Sequence, residues 1–173
     1  MINWETMETP LGELLLAATD TGLSDLYFDQ HRYGRRPGPD WERAASGTPA
    51  GRILAIARAE LAAYFAGSLD RFTVPLGARG SEFQHRVWAE LVAIPAGETI
   101  TYGELARRIG TPRGTRAAAG AVARNPCSII VPCHRVVGSD GSLTGFGSGL
   151  ERKRWLLRHE EARTPALDLQ LSL

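Results

Sequence analysis

The sequence predicts an α/β protein of two domains, a small sheet with one helix followed by a helical domain. Two short apolar runs around a Gly-bearing turn, at residues 12 to 18 and 23 to 28, predict a β-hairpin near the N-terminus. The second half repeats helix-start signals, in which Ser or Thr precedes Glu or Gln by three positions. Residues 77 to 83, rich in Gly and charge, separate the two patterns, so we place the domains at 1–76 and 77–173.

The N-terminal domain is predicted to hold one long helix. Residues 51 to 67 carry apolar side chains at helical spacing, and Gly67 is a typical helix stop. The predicted inner face consists of Ile53, Ile56, Ala57, Leu61, Tyr64 and Phe65. The Gly- and Pro-rich residues 30 to 50 predict a loop, and residues 71 to 76 predict a short strand. Core packing explains the apolar residues of this half, which shows no obvious chemistry.

The C-terminal domain is predicted to contain a helix-turn-helix. Ser81 with Gln84 and Thr101 with Glu104 form capping-box patterns that start two helices. The second of these helices ends at a glycine, a tight turn follows, and a third helix ends before a proline. Two short helices joined by a Gly/Pro turn are typical of DNA-binding helix pairs, although the pattern alone is a weak signal.

Positive charge is concentrated in the second half of the chain. Residues 1 to 76 hold 7 Lys and Arg against 10 Asp and Glu, a net charge of −3, whereas residues 77 to 173 hold 13 against 9, a net charge of +4. Residues 105 to 139 contain no acid and six arginines, namely Arg107, Arg108, Arg113, Arg116, Arg124 and Arg135. This stretch is a candidate surface for a polyanion. On charge alone, a solvated arginine face is an equally good interpretation.

The third helix has an unusual composition, because residues 117 to 121 are alanine and glycine only. Small side chains permit close packing against another helix. They also permit close approach of the helix to a nucleic-acid backbone, an interpretation that the flanking Arg116 and Arg124 favour. Both interpretations stay open at this point.

Composition is that of an ordinary globular protein, since 43% of the 173 residues are hydrophobic and 23% are charged. No apolar run approaches the roughly 20 residues that cross a bilayer, and the polar N-terminus does not resemble a signal peptide. We therefore expect a cytoplasmic protein without a membrane partner. Its two cysteines, Cys127 and Cys133, are expected to be free thiols, because two cysteines alone make a poor zinc site.

The stretch SIIVPCHRVV, residues 128 to 137, is the candidate reactive segment. Residues 128 to 131 predict a buried strand that Pro132 ends, which would hold Cys133 at the strand edge, facing a pocket. A half-buried structural cysteine is the competing interpretation.

Neighbouring residues favour the reactive interpretation of this thiol. His134 and Arg135 could raise its thiolate fraction, as a base and as a positive charge. A base needs an acid that orients it, for which the chain offers Glu160 or Glu161. Cys–His adjacency is common by chance, so the spacing alone does not decide between the interpretations.

Three segments of the second half closely resemble the O6-alkylguanine-DNA alkyltransferases, also called methylated-DNA–protein-cysteine methyltransferases. The segments are FQHRVWAELVAIPAGETITYGELARRIG, RAAAGAVARNP and IVPCHRVVGSDGSLTGFGSGLERKRWLL. They cover nearly all of residues 80 to 160 in order and include the hallmark Pro-Cys-His-Arg-Val. The resemblance implies a ribonuclease H-like N-terminal domain and a winged-helix-like C-terminal domain with a helix-turn-helix.

The resemblance also implies a function, the direct reversal of alkylation damage in DNA. The protein would transfer an alkyl group irreversibly from O6-alkylguanine to itself, once per molecule, with O4-alkylthymine as a second candidate substrate. Cys133 would accept the alkyl group, His134 would act as its base through a water, and Glu160 would orient His134. Tyr102 would push on the target phosphate and protonate the leaving guanine.

Further residues would bind DNA and the target base. Arg116 would fill the gap left by a flipped nucleotide, and Asn125 would form the hinge between the recognition helix and the active-site strand. The other DNA-binding candidates are Tyr102, Ala117 and Arg124. The pocket candidates are Pro132, Val136, Phe146 and Ser148, with the backbone carbonyls of Cys133 and Val136 reading the guanine amino group.

The expected partner is double-stranded DNA containing O6-alkylguanine, bound by a monomer mainly through phosphates, with cooperativity left open. No cofactor and no metal are implied, because residues 1 to 76 lack the zinc ligands of some family members. One alternative is a non-catalytic alkylated-DNA-binding module of the alkyltransferase-like type, but such proteins replace the acceptor cysteine, which is present here as Cys133. A cysteine hydrolase is a second alternative, but the arginine stretch and the helix pair have no role in the chemistry of hydrolysis.

Overall fold

The computed structural model describes residues 1–162, so the predicted end of the second domain, residues 163–173, lies outside the described residues. The elements in chain order are β1 Ile2–Thr9, β2 Gly12–Thr19, β3 Gly22–Phe28, β4 Trp41–Arg43, α1 Pro49–Phe65, α2 Glu82–Val92, β5 Ile100–Thr101, α3 Tyr102–Arg108, α4 Thr115–Ala123, a short 3₁₀ helix Cys133–Arg135, β6 Val136–Val137 and α5 Leu150–Glu161. Within residues 1–162, none of the helices has the length and apolar character needed to span a membrane.

The N-terminal half is a four-stranded sheet covered by α1. The strands lie in the order β3-β2-β1-β4, with β4 parallel to β1 and the other pairs antiparallel. The predicted hairpin is confirmed as β2 and β3. The prediction of a loop over residues 30 to 50 is wrong in part, because β4 lies within them and pairs with β1, which was not predicted. Three residues are too short for a period-2 pattern to show.

The predicted long helix is confirmed as α1, with a small rotation of its inner face. The Thr48 side chain accepts a hydrogen bond from the Gly51 N–H at the start of the helix, and Gly67 follows its end with φ of 81°. The predicted inner residue Ile56 is 43% exposed, whereas Leu54 is buried. The helix packs against β1, β2 and β3, which decides which stripe faces inward.

The edge of β3 joins the two halves of the chain. The predicted strand at residues 71 to 76 is wrong, since only Leu76 forms a bridge, to Leu23. Pro75 has no N–H and cannot continue a ladder. Farther along the same edge, Leu26 donates to the Pro126 carbonyl at 2.7 Å and accepts from the Ser128 N–H at 3.0 Å. One hydrophobic core therefore runs through both halves.

The helix-turn-helix is confirmed as α3 and α4, joined by residues 109 to 114. The capping box of Ser81 and Gln84 is confirmed at the start of α2. The capping box at α3 is only half formed: the Thr101 side chain accepts from the Glu104 N–H at 3.1 Å, but the Glu104 carboxylate binds arginines instead of reaching back.

The small residues of α4 serve close helix packing on one side. Ala118, Ala121 and Val122 are buried, and the Trp88 side chain on α2 donates to the Ala121 carbonyl at 2.9 Å. The opposite side of the helix, which includes Ala117, is exposed. The packing interpretation therefore holds for the inner face, and close approach to DNA remains a prediction for the outer face.

Residues 128 to 131 do not form the predicted strand but a buried tight turn. Ile129 has φ of 73°, the Ile130 N–H donates to the Ser128 carbonyl at 2.8 Å, and the Val131 N–H donates to the Cys127 carbonyl at 2.9 Å. A left-handed conformation at a β-branched residue costs on the order of 1–3 kcal/mol. Burial of three large apolar side chains offsets that cost, and a buried apolar run has the same sequence pattern in a turn as in a strand.

Candidate active site and nucleic-acid interface

Cys133 begins the 3₁₀ helix and is 6% exposed, with Pro132 and Val136 buried on either side. Burial raises the pKa of its thiol above the ordinary value. Three influences oppose burial, namely a hydrogen bond from the Asn125 side chain, the positive charge of Lys153 and the backbone N–H groups of Cys133 and His134. The resting thiol is therefore protonated at neutral pH, and transfer requires a base.

His134 and Glu160 form a buried pair next to this thiol. Nε2 of His134 lies 2.7 Å from Oε1 of Glu160, and both side chains are fully buried. Burial lowers the pKa of His134 despite the neighbouring carboxylate, so the imidazole is neutral. Because Nε2 must donate to the carboxylate, Nδ1 carries the free lone pair. Among residues 1–162, Nδ1 has no hydrogen-bond partner, which leaves it able to accept a proton.

Glu160 is held as a carboxylate by hydrogen bonds from three side chains. Besides His134, it accepts from the Tyr64 hydroxyl at 2.8 Å and from two nitrogens of Arg135 at 2.8 and 2.9 Å. Burial opposes its ionisation, but the hydrogen bonds and charges of His134 and Arg135 outweigh burial and hold its pKa far below the ordinary value. The alternative acid, Glu161, is exposed.

The structure corrects the expected role of Arg135. Its guanidinium is buried and bonded to Glu160 and the Ile94 carbonyl, so it does not belong to an exposed arginine surface. Tyr64 was not predicted to contact the site, because it comes from α1, 96 positions earlier in the chain.

Tyr102, the first residue of α3, contacts the loop that follows the thiol. Its hydroxyl donates to the Thr144 carbonyl at 3.3 Å, and burial raises its pKa, so the phenol keeps its proton. On the same loop, Phe146 packs against the core and Ser148 is buried. The Ser148 hydroxyl has no hydrogen-bond partner among the described residues. The segment that follows Cys133 therefore contains a hydroxyl that is free to donate a hydrogen bond.

The Asn125 side chain stabilises the turn of residues 128 to 131, which precedes Cys133. It donates to the Val131 carbonyl at 2.7 Å and accepts from the Cys127 N–H at 2.9 Å. The bond from the Cys127 N–H satisfies a buried backbone donor, whereas the Val131 carbonyl also accepts from the Cys133 N–H at 2.8 Å. The residue therefore links the end of α4 to the reactive segment, and its role as a hinge stays a prediction.

Lys153 on α5 is a site residue that the sequence reasoning missed. It is fully buried, and its Nζ donates to the carbonyls of Val136 at 2.6 Å and Thr144 at 2.8 Å. A signal was present, because Lys153 shares the buried helical stripe with Leu156 and Glu160. A lysine on such a stripe is rarely a solvated charge.

The outer face of α4 carries the free cations. Arg116 and Ala117 are exposed on its first turn, and Arg113 is exposed in the turn before it. Among residues 1–162, Arg113 and Arg116 form no ion pair or hydrogen bond. Arg124, at the end of the helix, is exposed but lies over the Tyr33 ring, 5.0 Å from its centroid.

Two other arginines of the acid-free stretch are already neutralised. Arg107 pairs with Glu104 at 2.7 Å, and Arg108 pairs with Glu104 at 3.1 Å and Glu90 at 3.7 Å. These ion pairs form because Glu104, just before the stretch, lies one helical turn from both arginines. A role of Arg107 and Arg108 in binding a polyanion stays a prediction, since exposed ion pairs are weak and do not exclude a phosphate contact.

One cleft reaches the Glu160 side of the site. It has a volume of about 550 Å³ and reaches Pro132, Arg135 and Glu160 between residues 70 to 76 and 92 to 96. Cys133 and Tyr102 are not among its lining residues. We therefore do not assign this cleft to the reacting base.

Comparisons with known proteins agree with this geometry. A family model described as 6-O-methylguanine DNA methyltransferase, DNA binding domain, matches residues 82–162, and one described as the ribonuclease-like domain of the same family matches residues 2–78. The methylated-DNA–protein-cysteine methyltransferase of Mycolicibacterium paratuberculosis is 46% identical over 96% of each chain. That of Mycobacterium tuberculosis strain H37Rv is 45% identical over 99% of each chain.

A solved structure of a relative shows the same fold. The crystal structure of Mycobacterium tuberculosis OGT in complex with DNA superposes with a TM-score of 0.81, at 42% identity, and covers 95% of this chain and 96% of that one. The predicted α/β fold is confirmed, with an N-terminal ribonuclease-like sheet domain and a C-terminal helical DNA-binding domain. The boundary between residues 76 and 77 stays a prediction. On its sequence, its fold and the two family models, the chain belongs to the 6-O-methylguanine DNA methyltransferases, the methylated-DNA–protein-cysteine methyltransferase family.

Proposed function

We propose that the protein repairs DNA by moving the alkyl group of O6-alkylguanine to its own Cys133, once per molecule. One observation carries the proposal: a buried thiol lies next to a neutral histidine whose Nε2 is fixed by an ionised Glu160, so that Nδ1 is left as the base. The names of the relatives supply the reaction class, and this geometry supports it in this chain.

The chemical step follows from this arrangement. Nδ1 of His134 takes the thiol proton through a water, and Glu160 stabilises the imidazolium that forms. The thiolate attacks the alkyl carbon, a C–S bond forms and the C–O6 bond breaks, with its electron pair leaving on guanine. Tyr102 protonates the guanine and recovers a proton that derives from the imidazolium. The product thioether has no low-energy route back, which makes the reaction stoichiometric.

Access to the target atom requires that the nucleotide leave the duplex, at a cost of a few kcal/mol. We assign the outer face of α4 to this task. Arg116 inserts into the space that the nucleotide vacates, and the small Ala117 beside it lets the helix backbone approach the DNA. Arg113 and Arg124 neutralise phosphates, which positions the duplex without reading its sequence.

The flipped base meets four pocket residues. Pro132 and Phe146 give apolar contact, and the Val136 carbonyl accepts from the guanine amino group through the lone pair that Lys153 does not use. Ser148 offers its unpaired hydroxyl to the guanine oxygen. Binding by a monomer and a cytoplasmic location stay predictions.

Stoichiometry tests this function directly. Full-length protein is mixed with duplex DNA that holds one O6-methylguanine, at ratios below and above one. We expect each protein molecule to gain one methyl group and to restore one guanine, while Cys133→Ser binds the duplex and transfers nothing. A protein that binds without transfer would be an alkylated-DNA-binding module, and a protein that turns over repeatedly would be a hydrolase or another enzyme.

A further inference from the structure

The loop of residues 138 to 149, which follows the reactive cysteine, is bonded to the N-terminal half of the chain near its end. The Arg32 N–H donates to the Gly147 carbonyl at 3.2 Å. On either side of Gly147 are Phe146 and Ser148, the two pocket candidates of this loop. A contact from the first half of the chain therefore reaches the segment to which we assign contact with the flipped base.

The side chain that lies against this point is His31. A Cβ atom added to Gly147 would lie 2.6 Å from Cε1 of the His31 ring and closer still to Nε2. Two such atoms cannot approach each other so closely, so the ring and the Gly147 backbone are packed with no space for a side chain between them. Glycine at position 147 is what permits this contact.

The His31 ring is itself fixed by contacts within the N-terminal half. Its Nδ1 accepts a hydrogen bond from the Tyr33 N–H at 3.1 Å, and its centroid lies 4.8 Å from that of the Tyr27 ring. Tyr27 is buried on β3. Burial lowers the pKa of His31, so the ring is uncharged at neutral pH. A ring that is held in this way resists displacement by the loop.

The loop has a second contact, which comes from α3. The Tyr102 hydroxyl lies 3.3 Å from the Thr144 carbonyl and 3.5 Å from the Gly145 carbonyl. The loop is therefore held on both sides of Phe146, by α3 before it and by the N-terminal half after it. Protein interiors are closely packed, so an alkyl group larger than methyl gains space in this segment only if the loop moves.

We propose that His31 is a specificity-determining residue, whose ring stops residues 146 to 148 from moving toward the N-terminal sheet and so limits the size of the alkyl group that is accepted. The inference rests on the proposed function, because size selection requires that an alkyl group be transferred. His31 acts through the backbone of Gly147 and not on the reacting atoms. In a packed pocket one methylene changes relative rates by about 10–200-fold, which sets the scale of the expected effect.

Relative rates on two adduct sizes test this role. Single-turnover rates are measured on one duplex sequence that carries either O6-methylguanine or O6-benzylguanine. We expect His31→Ala to raise the ratio of the benzyl rate to the methyl rate about tenfold. His31→Phe keeps a ring at the same place and should keep the wild-type ratio. A residue that only supports the fold would lower both rates together and leave the ratio unchanged.

Gly147→Ala changes the same contact from the side of the loop. The added methyl group meets the His31 ring, so it should displace the loop away from the sheet. We expect both reactions to slow, the benzyl reaction more than the methyl reaction. His31→Ala in the same chain gives the methyl group its space and should restore both rates, which requires that the two residues touch.

His85→Ala is the matched control, because it removes an exposed histidine ring from α2, outside this loop. Its ratio of rates should equal that of the wild type. An unchanged ratio in His31→Ala, or an equal rise in the control, would overturn the inference. If His31→Ala does not fold, Gly147→Ala decides, and an unchanged ratio in that variant would overturn the inference too. A wild type that transfers neither alkyl group would instead reject the proposed function.

Discussion

Cys127 and Cys133 lie six positions apart, and both thiols are buried, yet their surroundings differ in charge. Burial raises the pKa of Cys127, and the negative Asp25 raises it further. Burial also raises the pKa of Cys133, but there the Asn125 side chain, Lys153 and two backbone N–H groups act in the opposite direction. Burial alone therefore does not distinguish a packing thiol from a reactive one, and the compensating groups do.

The two surroundings come from different parts of the chain. Cys127 lies in the segment that pairs with the edge of β3, where its Sγ contacts the Leu23 carbonyl at 3.8 Å. Cys133 follows the tight turn of residues 128 to 131, which directs the chain toward α5 and its Glu160 and Lys153. A strand in place of that turn would not change the direction of the chain in this way.

The largest expected effect, short of removing the thiol, comes from Glu160→Gln. Without the carboxylate, the imidazolium that forms during transfer is not stabilised. General-base catalysis contributes about 10²–10⁴-fold, and we expect a loss on the order of 100-fold in the single-turnover rate at pH 7. The loss should be smaller at pH 9, where solvent base helps to form the thiolate. Glu161→Gln, at an exposed position, is the control and should react as the wild type does; an equal loss at both pH values would mean that Glu160 only supports the fold.

The same substitution has a consequence for acid stability. The folded pKa of Glu160 lies below its ordinary value of 4.5, so its stabilisation is present above that pH and is lost as the pH falls below it. Breaking a buried ion pair costs about 3–5 kcal/mol. The free energy of unfolding of Glu160→Gln should therefore be lower at pH 7 and should fall less steeply between pH 5 and pH 3, which denaturant titrations at several pH values would measure.

Arg116→Ala separates nucleotide flipping from the chemistry at the thiol, because it leaves the surroundings of both cysteines unchanged. Flipping a nucleotide costs a few kcal/mol, so loss of the inserted side chain should slow repair of duplex DNA by on the order of 100-fold. Reaction with free O6-benzylguanine, which needs no flipping, should stay within about threefold of the wild type. Arg113→Ala should instead weaken binding to every duplex slightly. Equal slowing of both reactions by Arg116→Ala would show that the residue supports the pocket.

Tyr64→Phe tests how far the N-terminal half supports the reactive cysteine. The variant keeps the ring and removes the hydroxyl that donates to Glu160 at 2.8 Å. A hydrogen bond to a buried charged group contributes about 1.5–3 kcal/mol, and the free energy of unfolding should fall by that amount. Because His134 and Arg135 still hold the carboxylate, the transfer rate at pH 7 should fall less than tenfold. A loss as large as that of Glu160→Gln would make Tyr64 an essential part of the site.

Cys127→Ser should have the smallest effect on transfer. The hydroxyl occupies a buried site with one weak acceptor, so stability should fall by about 1–2 kcal/mol. Single-turnover repair of methylated duplex should match that of the wild type. A repair defect larger than the fraction of unfolded protein explains would show that the two thiols act together.

Local sequence rules predicted the helices well. The capping box at Ser81, the end of α1 at Gly67 and the helix-turn-helix follow from side-chain chemistry within a few positions. The same rules failed where one pattern of residue types fits two structures. Residues 129 to 131 are apolar whether they form a strand or a buried turn, and in the turn the Asn125 side chain bonds the Val131 carbonyl and the Cys127 N–H.

For the active site, too, the sequence predicted some residues and missed others. The family resemblance supplied His134 and Glu160, and the structure brings them to 2.7 Å. Tyr64 has no sequence signal for its contact with Glu160, since it arises from the packing of α1 against the second half. Lys153 did have a sequence signal, because it lies at helical spacing from Leu156 and Glu160 on the buried stripe of α5.

The identity of the alkylated thiol tests the central comparison most directly. Full-length protein is mixed with a duplex that carries one O6-methylguanine with a deuterated methyl group, and the protein is digested with trypsin. Both cysteines fall in the peptide of residues 125 to 135, so fragment ions between them must be read. We predict that the deuterated methyl is found on Cys133 alone, one per molecule. A label on Cys127, or one shared between the two thiols, would contradict the conclusion that compensating charge, and not burial, selects the reactive cysteine.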